Sequence, residues 1–396
     1  MRLLKFAGVF LLVAGIILGF VFYVNWDAFR TVYENRVSIS EGSEWVPKTY
    51  SIEGLLDYVA EHPEQVSIVS FSPDEPSAGI YYGSEIPRVY GSTGLALLLG
   101  EFYRQAAVSA INPDSLVSVE QPGQLVIPGI EESSFRNAVN EAAKAGYIDN
   151  TGKIRLDDLF DLNLVKGNLH VHDYLLILLG RENITRLVQN LGYDMDAPSP
   201  VTGLYILSAG RLFDRTQEEQ LRYLEQLDPD VLNSQAWDYT ERYISDDGFR
   251  ERVQVITRKR GLNLDFIQMR RLYNLMPKIK PADLAQIMHS VHSQSFISPE
   301  VSDQVYQKLR WPENRSIIQN SMNRYAAAYD SRMSMLNGTD IGSSMDGQTT
   351  RIQVVMFQQL PVSMWMHLSS NFINQELQRM LITNPDFLKK TSDLPG

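Results

Sequence analysis

Ser92 is the residue whose placement first suggests chemistry. It stands in "VYGSTGLALLLGEFYRQ" (89–105), after a short β-like entry and at the head of a strongly apolar helical run. A serine there reads as a helix N-cap, because its side-chain oxygen can accept an unpaired backbone N–H of the first turn. The same position suits a nucleophile, which gains from the N–H dipoles of a helix start and still needs a base to take its proton. Two histidine pairs have metal-ligand spacing: His170 with His172 in "HVH", which share a side only in an extended segment, and His289 with His292, one helical turn apart. Only Asp173 supplies a carboxylate at ligand spacing, so these read as surface or packing histidines, and no metal or other cofactor is expected. "GTDIGSSMDG" (338–347) has glycines but no following helix or lysine. It reads as a turn between strands, not a phosphate loop.

The chain that must position Ser92 has 396 residues, 44% hydrophobic and 21% charged, enough to bury a full core. Its net charge of -11, with Arg258, Lys259 and Arg260 as the one short basic cluster, argues against a nucleic-acid partner. Residues 6–24 contain no charged, Asn, Gln or Pro residue and are long enough for the ~30 Å core of a bilayer. Arg2 and Lys5 precede them and Asp27 follows. The expectation is a single uncleaved anchor (1–26) with Tyr23 and Trp26 at the outer interface and everything beyond about residue 26 outside the cytoplasm. Bulky aromatics stand where a signal peptidase needs small residues. The absence of cysteine is compatible with that location without selecting it.

After a juxtamembrane linker (27–50), residues 51–65 read as a helix. Two strand-like runs (66–71 and 79–82) then flank the turn residues Pro73, Asp74, Pro76 and Gly79. Helical patterns dominate to about residue 325. Near the end, 351–358 and 362–368 read as two strands, the second Met-rich and packing the sheet, followed by an amphipathic helix. Strands at both ends with helices between predict an α+β domain (51–396), in which all four runs share one antiparallel sheet packed against the helices.

Three stretches carry a family resemblance: "VSIVSFSPDEPSAGIYYGSEIPRVYGST", "HDYLLILLGRENITRLVQNLG" and "IKPADLAQIMHSVHSQSFISPEVSDQVYQKL". In their order they resemble the class A β-lactamases and the related penicillin-binding transpeptidases. The first looks like that family's opening hairpin and approach to the nucleophile, the second like the helix pair after its second motif, the third like the helices before its final strands. The resemblance spans most of 51–382. Residues 210–276 have no counterpart and read as a helical insertion.

The resemblance implies a set of catalytic residues, from which this chain departs. The family's Ser-x-x-Lys becomes Ser92, Thr93, Gly94 and Leu95, and a leucine takes no proton. Its Ser-Asp-Asn aligns with Lys166, Gly167 and Asn168. Its Lys-Thr-Gly, which helps bind a substrate carboxylate, aligns with Leu336, Asn337 and Gly338. "LGYDMDAPSPVTGLYIL" lacks the loop that carries the deacylating glutamate. Two readings follow from the resemblance. In one, a catalytically degenerate domain uses the old cleft, including Asn168, Asn337 and Gly338, to bind a cell-wall ligand or envelope protein. In the other, an active serine hydrolase or amidase pairs Ser92 with a desolvated Lys166 as base. A third reading, from the insertion alone, is a structural membrane subunit.

Overall fold

The structure, a computed structural model, describes residues 33, 35–130, 132–161, 168–258, 261–310 and 322–394. Nine strands occur among them: β1 (Val66–Ser72), β2 (Glu75–Tyr82), β3 (Arg88–Val89), β4 (Leu116–Ser118), β5 (Lys153–Arg155), β6 (Lys278–Ile279), β7 (Met322–Asp330), β8 (Leu336–Ser344) and β9 (Thr350–Phe357). The main sheet is antiparallel throughout, in the order β2-β1-β9-β8-β7. β1 and β9 pair from Val66 opposite Phe357 to Phe71 opposite Ile352, which joins the two ends of the described chain in one sheet.

Both faces of that sheet are covered, which is why β1 is buried from Val66 to Phe71, Ser67 and Ser70 included. Val69 and Phe71 face a core built with the helices Leu95–Ala107, Leu169–Leu179, Pro281–His292 and Pro299–Lys308. Val66 and Ile68 face a second core with the helices Ile52–Glu61, Val362–Ser370 and Ile373–Thr383. The helix Leu95–Ala107 is apolar nearly all round because it lies in the middle of the first core, with Leu95 to Leu99 and Phe102 all at most 2% exposed. A third apolar cluster gathers helices between Val201 and Tyr273 and takes in most of the segment read as an insertion.

Three expectations change. Residues 362–368 form part of the helix Val362–Ser370, not a strand. Alternating Val362, Met364 and Met366 suits a strand, but Pro361 lacks the N–H a ladder needs and instead starts a helix, which buries Val362, Met364 and Leu368. The turn expected at 338–347 is for the most part β8, with Asn337, Thr339 and Asp340 fully buried. Its polar composition hides the strand. Its glycines allow it to be covered closely: a Cβ at Gly338 would meet the Tyr329 ring at 2.8 Å, and one at Gly342 the Ile382 Cδ1 at 2.6 Å. The stretch expected to be a linker is packed from Asn35 onward. Trp45 is 8% exposed in the second core, and Glu41 pairs with Arg270 at 3.0 Å.

Among the described residues no helix is long and apolar enough to cross a membrane, and residues 6–24 lie outside them.

Candidate active site around Ser92

The approach to Ser92 is clamped from several sides. β3 pairs with β6, and Arg88, 4% exposed, donates to the carbonyls of Pro63, Glu64 and Val66 and to the Ser67 hydroxyl. Burial pulls its guanidinium down to about 10. The next residue, Val89, gives its N–H to Gln358 Oε1 at 3.0 Å, and its carbonyl accepts from Asn337 Nδ2 at 2.6 Å and from the Gln358 amide. The chain then passes Tyr90 and enters a 3-10 turn, Gly91–Gly94.

Ser92 sits in that turn, 7% exposed, and is not the helix N-cap. The cap position is Gly94, without a side-chain cap bond, and Ser92 contributes its carbonyl, which accepts the Leu95 N–H. The Ser92 backbone N–H points the other way and donates to Asp330 Oδ2 at 2.8 Å. Asp330 ends β7. Its carboxylate also pairs with the Arg332 guanidinium and accepts the Arg332 N–H at 3.2 Å, and the two side chains are 2% and 9% exposed. The approach requires Gly91: its φ is +49°, and a Cβ there would fall 2.1 Å from Asp330 Oδ2.

Ser92 lines a cavity of about 10 Å³, room for about one water, together with Tyr90, Leu169, His172, Met276 and Arg332. Burial keeps the Tyr90 phenol neutral far above the usual tyrosine range, and its hydroxyl donates to the Asp196 carbonyl at 3.1 Å. His172 is 13% exposed, with Nδ1 3.3 Å from Asp173 Oδ1. Asp173 is fully buried and accepts the N–H groups of Val201 at 3.0 Å and Thr202 at 2.6 Å, the first turn of the helix Val201–Ser208. His172 and Asp173, which read in the sequence as surface or packing residues, thus border the Ser92 cavity or support a residue that does. Asp330 and Arg332 carry no signal in the sequence.

The other candidates are distributed as follows. Leu95 is 2% exposed in the first core, so the position where the resemblance expects a lysine is apolar. Lys166 lies outside the described residues. Asn168, 1% exposed, caps the helix Leu169–Leu179: its Oδ1 accepts from the N–H groups of His170 and Val171, each at 3.2 Å. Asn337 and Gly338 lie on β8 and do not line the cavity, because the Asn337 amide is committed to Val89 and Gly338 makes room for Tyr329 and Gln378. The strand that ends beside Ser92 is β7. The histidine pairs do not converge on a metal: His170 packs edge-on to Phe135, His289 Nε2 lies 3.2 Å from the Pro73 carbonyl, and no group of three or more potential ligands occurs among the described residues.

His170 has a consequence for stability. It is 1% exposed, and burial lowers its pKa, opposed by Asp173 and by the nearby Leu125 and Ile130 carbonyls, which neither ring nitrogen reaches with hydrogen-bond geometry. A base whose folded pKa is depressed binds fewer protons folded than unfolded, so stability is full above the unfolded value of about 6.5 and falls as pH drops below it. The guanidinium midpoint of the purified chain should therefore fall between pH 7.5 and 5.5, and the His170→Phe variant should lose that part of the slope. An unchanged slope would contradict the assignment.

No known family profile and no curated protein matches the chain. Solved structures do. The β-lactamase from Sphaerobacter thermophilus superposes with a TM-score of 0.51 at 12% identity, over 88% of this chain and 99% of that one. The chain has a β-lactamase-like fold. A β-lactamase from Burkholderia vietnamiensis (TM-score 0.48, 12% identity, 85% and 97% covered) and the penicillin-binding protein PBP-A (0.45, 11%, 83% and 96%) are also similar. At such identities the likeness establishes the fold of serine hydrolases, and what a β-lactamase-like fold does here depends on the Ser92 site.

Proposed function

We propose that this protein is a single-pass envelope protein, anchored by residues 6–24, whose extracytoplasmic β-lactamase-like domain binds a cell-wall ligand or another envelope protein and carries out no acyl transfer at Ser92. One observation carries this reading. The Ser92 N–H, a donor of the kind that steadies the oxyanion in acyl-transfer enzymes, is held by a carboxylate of the same chain. A negative charge there opposes the negative charge that develops on a carbonyl oxygen under attack. Leu95 supplies no base, and the cavity holds about one water.

The test has two arms. In right-side-out membrane vesicles or spheroplasts, added protease should degrade the domain and leave the N-terminus attached. The purified full chain should co-sediment with isolated peptidoglycan or with a crosslinked envelope protein, and do so equally well as Ser92→Ala. Ser92-dependent turnover of a β-lactam or of a muropeptide would overturn the reading.

A second reading, an active serine hydrolase or amidase, has one observation of its own. His172 shares the cavity with Ser92 and is backed by buried Asp173, the arrangement of a base and its orienting carboxylate. Here His172 is a base the structure describes, beside the Lys166 that the resemblance suggests. Hydrolysis lost in His172→Gln, or in Lys166→Ala, would select this reading and name the base.

A further inference from the structure

We propose that the face bearing Tyr33, Val37, Tyr50, Met366 and Phe372 rests on the lipid surface of the membrane that holds the anchor. The inference depends on residues 6–24 being that anchor and goes further, to the orientation of the domain.

Three observations converge on it. First, these apolar side chains are in water: Tyr33 is 68% exposed, Val37 76%, Tyr50 75%, Met366 36% and Phe372 56%. They belong to neighbouring elements. The helix Arg36–Ser40 lies against Val362–Ser370, where Ser363 donates to the carbonyls of Glu41 and Ile39, and the Tyr50 ring meets His367 edge-on at 4.5 Å. Second, Phe372 is held in the left-handed region, φ +49°, at the head of the helix Ile373–Thr383, without a side-chain cap bond. An aromatic residue is unfavourable in that conformation and unfavourable in water, and contact with lipid removes the second cost. Tyrosine and other aromatic rings are enriched at the membrane–water boundary.

Third, the tether is short. Eight residues separate Val24 from Tyr33, a reach of at most about 30 Å when fully extended. A domain of this size has a radius of gyration of about 20 Å and so a width of about 50 Å. The face where the chain enters is therefore the one that can lie against the bilayer, and Tyr33 and Val37 stand at that entry. Packing of residues 35–50 onto the domain fixes the entry point, since Asn35 accepts the Phe266 N–H at 3.0 Å and Glu41 pairs with Arg270.

The natural chain has no cysteine, so single-cysteine labelling is direct. Full-length Tyr50→Cys, Phe372→Cys and, as control, Leu116→Cys, each carrying a polarity-sensitive dye, would be reconstituted in phosphatidylethanolamine–phosphatidylglycerol vesicles with and without doxyl-labelled lipid. Leu116 lies on β4, which packs with the core on the opposite side of the sheet. Quenching at 50 and 372 at least twofold stronger than at 116 is the expected result. Equal quenching at all three overturns the inference while leaving the anchor intact. A blue shift at 50 and 372 without lipid quenching overturns it as well, because a protein then covers the face. Release of the chain by alkaline carbonate overturns the anchor and the inference together.

Discussion

Incubated folded with a fluorescent penicillin or a fluorophosphonate, the full chain should leave Ser92 unmodified. The argument is one of magnitudes. A missing general base typically costs about 10²–10⁴ in rate. A missing oxyanion donor costs about 10²–10³. Leu95 stands for the first loss and the Asp330 carboxylate on the Ser92 N–H for the second, so acylation should fall by about 10⁴–10⁷ if the two losses are independent and by about 10²–10⁴ if they overlap completely. Intact-protein mass spectrometry after labelling decides it. Stoichiometric modification that disappears in Ser92→Ala would refute the expectation, and its response to Lys166→Ala and His172→Gln would then identify the base. Denatured chain labelled at random sites is the control that separates reactivity of the fold from reactivity of a serine.

The sequence and the structure agree where burial dictates pattern. The pairing of an N-terminal hairpin with a C-terminal strand was legible because β1 and β9 carry β-branched and aromatic residues of covered strands, and the turn residues after β1 mark the hairpin to the edge strand β2. β8 was not, because buried Asn337, Thr339 and Asp340 and two space-making glycines give a strand the composition of a loop. An apolar run as short as 362–368 fits strand and helix alike, and Pro361, which starts the helix, is what distinguishes them. At the site, Ser92 was legible from its place before an apolar helix. Asp330 was invisible for a physical reason: it meets Ser92 across 238 residues, and an Asp-x-Arg triplet after a strand looks like an ordinary solvated turn. His172 was in view but was weighed as half of a metal pair, and only the fold separates it from His170, burying one against Phe135 and turning the other to the cavity.

If the Asp330–Arg332 pair is what holds the Ser92 turn closed, replacing Arg332 by Met should destabilise the folded chain by about 3–5 kcal/mol, the usual result of removing one partner from a buried ion pair. Asp330 would remain buried with a full charge and only the N–H groups of Ser92 and Arg332's own position to neutralise it. Adding Asp330→Asn to Arg332→Met removes that charge and keeps an oxygen that can accept the Ser92 N–H, so much of the loss should return. Thermal and guanidinium unfolding of the original chain, the two single variants and the double variant gives the coupling energy directly, and a value within about 0.5 kcal/mol of zero would mean that the two groups act independently. The same series separates structure from chemistry. Asp330→Ala frees the Ser92 N–H yet supplies no base, so penicillin labelling should stay absent in it. If labelling appears with that single change, the carboxylate alone had been silencing a serine whose base was already in place, and His172, turned towards the same cavity, becomes the group to replace next.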